Sequence, residues 1–194
     1  MKIMKHLTIA MLGMIISMPF FVNGQVKGSS TNGAISIFGT STLHDWEMTS
    51  SQGRCEATMI VTGDKLTSVA ALVFNITSET LKSSKGSIMD RISYKALKTA
   101  DNPTISFVLV SSTLNAIDAT TYQFKGTGNL TIAGTKKLTD LVATIKYNAA
   151  EKSFTSTGSK VLKMTEYNME PPSFAFGAMK TGDEIKISFN LKIK

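Results

Sequence analysis

Residues able to ligate metals or act as nucleophiles and bases are scarce in this chain. Its 194 residues include two histidines, one cysteine and one tryptophan. His6 falls in the N-terminal segment, which leaves His44 as the imidazole of the main body. A metal centre usually needs several ligands with histidine or cysteine among them, so none is expected. The lone Cys55 excludes an intramolecular disulfide, and stability has to come from burial. It also stands too far along the chain to be the acylated first residue of a lipoprotein; the role expected for it is a small buried apolar side chain. No Gly-x-Ser-x-Gly elbow, Gly-rich phosphate loop, paired-cysteine motif or EF-hand loop occurs. The formal net charge of +7 is moderate. Its lysines are scattered and form no basic stripe, so nucleic acid is not an expected partner. Asn75-Ile76-Thr77 and Asn129-Leu130-Thr131 match the glycosylation pattern, but both fall inside expected strands, and the matches are attributed to chance.

A long apolar run occurs in one place, the start. "MKIMKHLTIAMLGMIISMPFFVNGQ" has Lys2 and Lys5, apolar residues from Leu7 to Phe21, and small residues before Gln25. That is the pattern of a secretory signal peptide. Gly13 and Pro19 interrupt the run, which is shorter than the ~20 residues of a membrane span. Residues 1–24 are therefore read as a signal peptide, with cleavage near Gly24/Gln25. Residues 25–194 are read as one domain, periplasmic or secreted, with no membrane span after cleavage. No linker, low-complexity stretch or repeat divides it.

What the main body has in abundance is period-two alternation. In "DEIKISFNLKIK" Ile185, Ile187, Phe189, Leu191 and Ile193 alternate with polar residues, as in a half-buried antiparallel strand. "LVATIKY" repeats the pattern. Further strands are expected at Ala34–Thr40, His44–Ser50, Arg54–Thr62, Thr67–Thr77, Thr104–Leu114, Tyr122–Ile132 and Phe154–Met164. Turns are expected at Ser51-Gln52-Gly53, Gly63-Asp64, Asn115–Asp118, Ala133-Gly134 and Asn148–Glu151. Many short strands at regular spacing describe an all-β sandwich or barrel. The lysines of the last strand suit water outside and an apolar interior, unlike a transmembrane barrel.

One segment has helical spacing. "SSKGSIMDRISYKALKTADNP" puts Ile88, Met89, Ile92, Ala96 and Leu97 on one stripe, with Ser87 and Asp90 as a capping box and Asn102-Pro103 as the stop. The strand over Val69–Ile76 is apolar on both faces, so it should be covered on both sides, with this helix laid across the sheet.

"GTSTLHDWEMTS" places His44 and Asp45 side by side. On a strand His44 and Trp46 would share a face and Asp45 would point the other way, which separates the pair. "MEPPSFAFGAMKTGDE" is too apolar for a solvated loop: Pro171-Pro172 prevents pairing, while Phe174, Phe176 and Met179 make either a plug for one barrel end or a flap over a ligand.

The stretches "GTSTLHDWEM", "YKALKTADNPTISFVL", "GTGNLTIAGTKKLTDLVATI" and "PPSFAFGAMKTGDEIKISFNL" together resemble the YceI-like domain, in the form found in exported proteins of Bacteroidetes-type bacteria. Their order and spacing carry the resemblance, which runs from near Ala34 to the C-terminus. It implies a lipocalin-like antiparallel β-barrel of about eight strands with one short helix, a size that admits one small ligand. It also implies a long polyisoprenoid inside the barrel, and it brings no catalytic motif. The His-Asp-Trp opening and the Pro-Pro loop depart from the commonest family pattern, so the resemblance does not specify the ligand.

The leading expectation is an exported carrier for an apolar isoprenoid-like lipid of the polyprenol or quinone class, with no other cofactor and no catalytic residue. Strand phase nominates Phe38, Trp46, Leu72, Phe74, Ile105, Phe107 and Leu130 as lining residues, with His44 as a polar contact at the mouth. A filled barrel with a structural or interaction role is the alternative, and an enzyme using His44 the third reading. Association into a homodimer is left open.

Overall fold

Strands built on that alternation close on themselves. The structure, a computed structural model, describes residues 23–174 and 178–194. Residues 1–22 of the expected signal peptide lie outside the described residues, and so does Phe176 of the Pro-Pro loop. In chain order the strands are β1 (Asn23–Ser41), β2 (Trp46–Thr62), β3 (Lys65–Thr77), β4 (Lys82–Ser83), β5 (Thr104–Ala116), β6 (Thr121–Ile132), β7 (Thr135–Asn148), β8 (Ser153–Lys163), β9 (Ser173–Phe174) and β10 (Met179–Ile193). Helix α1 (Ser87–Ala96) lies between β4 and β5. The spatial order β1-β10-β8-β7-β6-β5-β3-β2 is completed by β2 pairing back on β1. The result is a closed eight-stranded antiparallel barrel with one short helix.

Turn chemistry sets its two ends. Gly63-Asp64 joins β2 to β3, with Gly63 at φ 59°. That turn, residues 117–120 and residues 149–152 lie at one end. Ala133-Gly134, both at positive φ, turns β6 into β7 at the other. There too sit the β1–β2 loop, α1 and the Met164–Tyr167 turn; we call this the helix end.

The expected turn at Ser51-Gln52-Gly53 is not formed, and β2 runs straight through it. Inward residues are Trp46, Met48 and Ser50 before it and Gly53, Cys55, Ala57 and Met59 after it, so the phase flips by one residue. That is a β-bulge. β1 bulges at the same level, where its register to β2 shifts on either side of Gly33. A Cβ on Gly33 or Gly53 would stand 3.0 Å from the other's carbonyl oxygen, so neither strand could bend here with a side chain. The cue read as a reversal is a barrel corner. β1 also starts at Asn23, well before Ala34, because its first half pairs with β2 from Asn23↔Thr62 to Ser30↔Cys55.

Two expectations about α1 and β3 are corrected. The outer face of β3 is bare: Ala71 and Val73 are exposed, and α1 does not cover them. The helix instead crosses the barrel's helix end, where its half-buried Met89, Ala96 and Leu97 find apolar partners, while Ile88 faces water. The capping box is also absent. Gly86 is the N-cap, and the Asp90 carboxylate accepts from the Ser83 amide at 2.7 Å, holding the helix to β4. Tyr94 is the second tether: its hydroxyl lies 2.8 Å from Glu79 O and 2.9 Å from Leu81 O, and accepts from Lys82 Nζ at 2.6 Å.

The interior divides into two clusters. Toward the far end Met59, Phe124, Ile145, Phe154 and Ile193 are fully enclosed, and Tyr147 stacks on Phe154 with centroids 4.7 Å apart. Toward the helix end Ile37, Trp46, Ile76, Ile105, Met164 and Tyr167 form the second. Cys55 belongs to the far cluster. Burial, and then the Glu56 carboxylate, push its thiol up to about 12. Thiolate is the reactive form, so a disulfide-exchange thiol reagent is expected to label the protein only in denaturant. Labelling of the native protein at the rate of a free thiol would contradict this burial.

Candidate ligand cavity

Between the two clusters the barrel axis is not filled. A cavity of about 110 Å³ is lined by Ile35, Ile37, Leu72, Phe74, Phe107, Leu130, Phe189 and their neighbours, with Met59, Phe124, Ile145, Leu191 and Ile193 toward the far end. For scale, an engineered apolar cavity of about 150 Å³ stays dry and takes up benzene. A smaller space of about 50 Å³ lies beneath α1, lined by Trp46, Met48, Met89, Met164, Met169 and Pro172 among others. Ile37, Ile105 and Ile187 border both, so the two spaces adjoin across these side chains, one at the middle of the barrel and one at the helix end.

Room remains in the interior because several aromatic rings lie against the wall rather than across the axis. Phe107 rests where a Cβ of Gly128 would be, and Phe189 where a Cβ of Gly158 would be. Trp46 does the same over Gly39, its cross-strand partner, and its Nε1–H donates to Thr40 O at 3.0 Å. Glycine within a strand makes room for a close neighbour, and here the neighbour is a ring. Gly39→Val is expected to displace Trp46, shift its emission to the red and cost about 1–3 kcal/mol, as overpacking does. An unchanged emission maximum would show that the ring does not depend on the glycine.

Six of the nominated residues border these spaces: Leu72, Phe74, Ile105, Phe107 and Leu130 at the larger, Trp46 and again Ile105 at the smaller. Two do not. Phe38 faces outward and is 40% exposed, between Glu47 and Lys186 on the neighbouring strands. The inward positions of β1 beyond its bulge are the odd ones, Ile35 and Ile37. His44 is exposed in the β1–β2 loop, because β2 begins only at Trp46. Strand alternation therefore does not relate it to Trp46. Its Nδ1 lies 2.8 Å from the Asp45 main-chain oxygen, an acceptor, so that nitrogen carries the proton. The ring bonds Asp45 through the backbone and not through the carboxylate. Ser41 Oγ ties the loop by accepting from the Leu43 and His44 amides.

Among the described lining side chains of the larger space, Thr139, Ser156 and Lys160 are the polar ones. Lys160 was missed in the sequence, although its place in the alternation Phe154, Ser156, Gly158, Leu162 is readable there. The Met89–Met164–Met169 lining was also missed: it joins a helix to segments far along the chain. The Pro-Pro loop contributes Met169, which is buried, and Pro172, while Met179 is half-buried.

The YceI-like domain model matches residues 20–193. The chain belongs to the YceI-like family. Solved structures share its fold at low identity. Burkholderia cenocepacia BcnA is similar with a TM-score of 0.63 and 18% identity, over 82% of this chain and 95% of that one. A polyisoprenoid binding domain from Saccharophagus degradans, implicated in plant cell wall breakdown, is similar with a TM-score of 0.65 and 8% identity, over 88% and 99%. A Campylobacter jejuni YCEI protein gives 0.51 and 18%, over 64% and 72%. Comparison with curated proteins gave no match. In this YceI-like barrel, then, the fold is common to the group, whereas the cavity described above is built by this chain's own side chains.

Proposed function

We propose that the protein is an exported carrier that holds an apolar, isoprenoid-like lipid of the polyprenol or quinone class inside its barrel. The observation that carries this reading is the pair of adjoining apolar spaces at mid-barrel and beneath the helix end, walled by aliphatic and aromatic residues. The polyisoprenoid-binding relative of the same fold supports it. Each methylene-sized group that leaves water for such a wall gains about 0.8 kcal/mol, so even a short stretch of chain is held without any charged contact. Helix α1, with no fully buried residue of its own, covers the smaller space as a lid tethered at Asp90 and Tyr94.

Native mass spectrometry of gently purified protein, followed by lipid extraction, tests the reading. A co-purifying prenyl lipid, or saturable uptake of a polyprenol or quinone, is the expected result. Protein that is ligand-free in every preparation and takes up neither would sink it. The modest volume of about 110 Å³ favours a second reading, a barrel whose core serves structure or protein interaction; that reading is what a failed uptake experiment would leave. Export is checked separately by N-terminal sequencing of the protein recovered from outside the cytoplasm, where a first residue near Gln25 is expected.

A further inference from the structure

Sulfur is concentrated at one place in the barrel. The methionines beyond residue 23 are Met48, Met59, Met89, Met164, Met169 and Met179. Met48, Met89, Met164 and Met169 all line the space of about 50 Å³ beneath α1, together with Trp46. The larger cavity beside it is lined mainly by isoleucine, leucine and phenylalanine, with Met59 the one methionine among its described lining residues. An apolar lining by itself therefore does not call for thioethers. Methionine often fills irregular gaps in cores. Here the side chains leave the gap open, and their neighbour is an indole.

Local structure gathers these residues. Trp46 and Met48 stand two apart on β2, so they share its inward face, and both are buried. Met164 and Met169 bracket the Met164–Tyr167 turn, and the Met169 amide donates to Met164 O at 3.1 Å, which sets the two residues side by side. Asn168, at φ 53°, makes that return of the chain possible. Lys98, just past α1, donates from Nζ to Asn168 O at 2.8 Å and ties the turn to the helix that carries Met89. Met89 and Pro172 are half-buried, so the space meets solvent on the side of α1 and the Pro-Pro loop.

The lining selects by chemistry. Among the described lining residues none is charged, and Ser93 and Thr181 supply the hydroxyls. Among the described residues no group of three or more imidazole, thiol and carboxylate side chains gathers anywhere, so hard and borderline cations have no ligand set. Neutral thioethers are soft ligands and favour copper(I)-like ions, whereas oxygen ligands suit magnesium and calcium. Burying charge in apolar surroundings is costly, and a single charge costs least. An indole adds attraction for a cation held near its ring.

We propose that Met48, Met89, Met164 and Met169 form a thioether site for one soft monovalent cation, copper(I) or silver(I), beside Trp46. The site goes beyond the lipid-holding reading and does not rest on it, since it concerns the smaller space alone.

The test is titration of silver nitrate, in chloride-free buffer, into wild type and Cys55→Ala, the latter because a thiolate is itself a strong metal ligand. Native mass spectrometry is expected to find a single silver ion per chain in both, and the emission of Trp46, the chain's one tryptophan, should be quenched in step with it. Met48→Leu and Met164→Leu nearly conserve volume, so a thermal melt should show both folded. Each should lose at least the roughly tenfold in affinity that even an outer-shell change costs a metal site. Met59→Leu, in the far cluster, should bind silver as wild type does. Copper(I) added under anaerobic reductant should displace the silver, and zinc should not. Absence of silver binding, binding that survives in both leucine variants, binding lost in Cys55→Ala, displacement by zinc but not by copper(I), or an unaltered Trp46 emission would each overturn the proposal. The lipid-holding reading is scored separately, by the lipid recovered from the same preparation.

Discussion

Leu130→Trp is expected to reduce lipid uptake by roughly two decades in Kd while leaving the barrel folded. Leu130 lies on β6 beside Phe107 of β5 and faces the larger cavity, where it is only half-buried. An indole at this position has nowhere to go but into the 110 Å³ that a chain would occupy. It excludes on the order of four methylene groups, about 3 kcal/mol of transfer free energy. Native mass spectrometry at fixed lipid concentration reads the loss, and a thermal melt checks the fold. The same substitution at an outward position, Val108→Trp, should change neither, because that side chain is exposed. Uptake by Leu130→Trp equal to wild type would mean that the lipid is held elsewhere.

Phe154→Ala carries the largest expected effect on stability. The ring is 0% exposed, stacks on Tyr147 at 4.7 Å and sits in the far cluster with Ile145 and Ile193. Truncation of a buried phenylalanine costs about 3–5 kcal/mol, transfer and cavity terms together. A domain of this kind has about 5–15 kcal/mol in total, and with a single buried cysteine it has no disulfide to fall back on. Urea unfolding should show a large drop in midpoint at unchanged slope. Val161→Ala, an exposed apolar change, should move the midpoint by less than about 0.5 kcal/mol equivalent. A loss at Phe154 as small as that would mean the far cluster is not what holds the barrel together.

Much of the fold is readable because the strands of this barrel alternate apolar inward residues with largely polar outward ones. The alternation of Ile185, Ile187, Phe189, Leu191 and Ile193 survives intact in β10. Glycine was the ambiguous sign. Gly63 and Gly134 do reverse the chain, with φ 59° and 78°, whereas Gly53 bends a strand that continues. The local sequence does not distinguish these cases, since what selects the bulge is Gly33 on the neighbouring strand. Phe38 was misplaced for a simpler reason: alternation over the expected strand Ala34–Thr40 does not say which face is inward, and Ile35 and Ile37 take that face. His44 was misread for a different reason, because Ser41 Oγ captures the backbone before a strand can form. Lys160 was overlooked since lysine on a strand is ordinarily a solvent residue. Its interior position follows from β8, whose pairing with β7 ends two residues before it.

The far cluster has a consequence for selectivity as well as for stability. Met59, Phe124, Ile145, Leu191 and Ile193, all buried, make a solid floor to the cavity at the far end. A blind tube works as a ruler. For a lipid held as proposed, affinity would rise with each carbon until the tail meets the floor; beyond that, added length would stay in water and contribute nothing. Chain length, rather than any feature of its chemistry, then becomes the quantity that this end of the barrel reads.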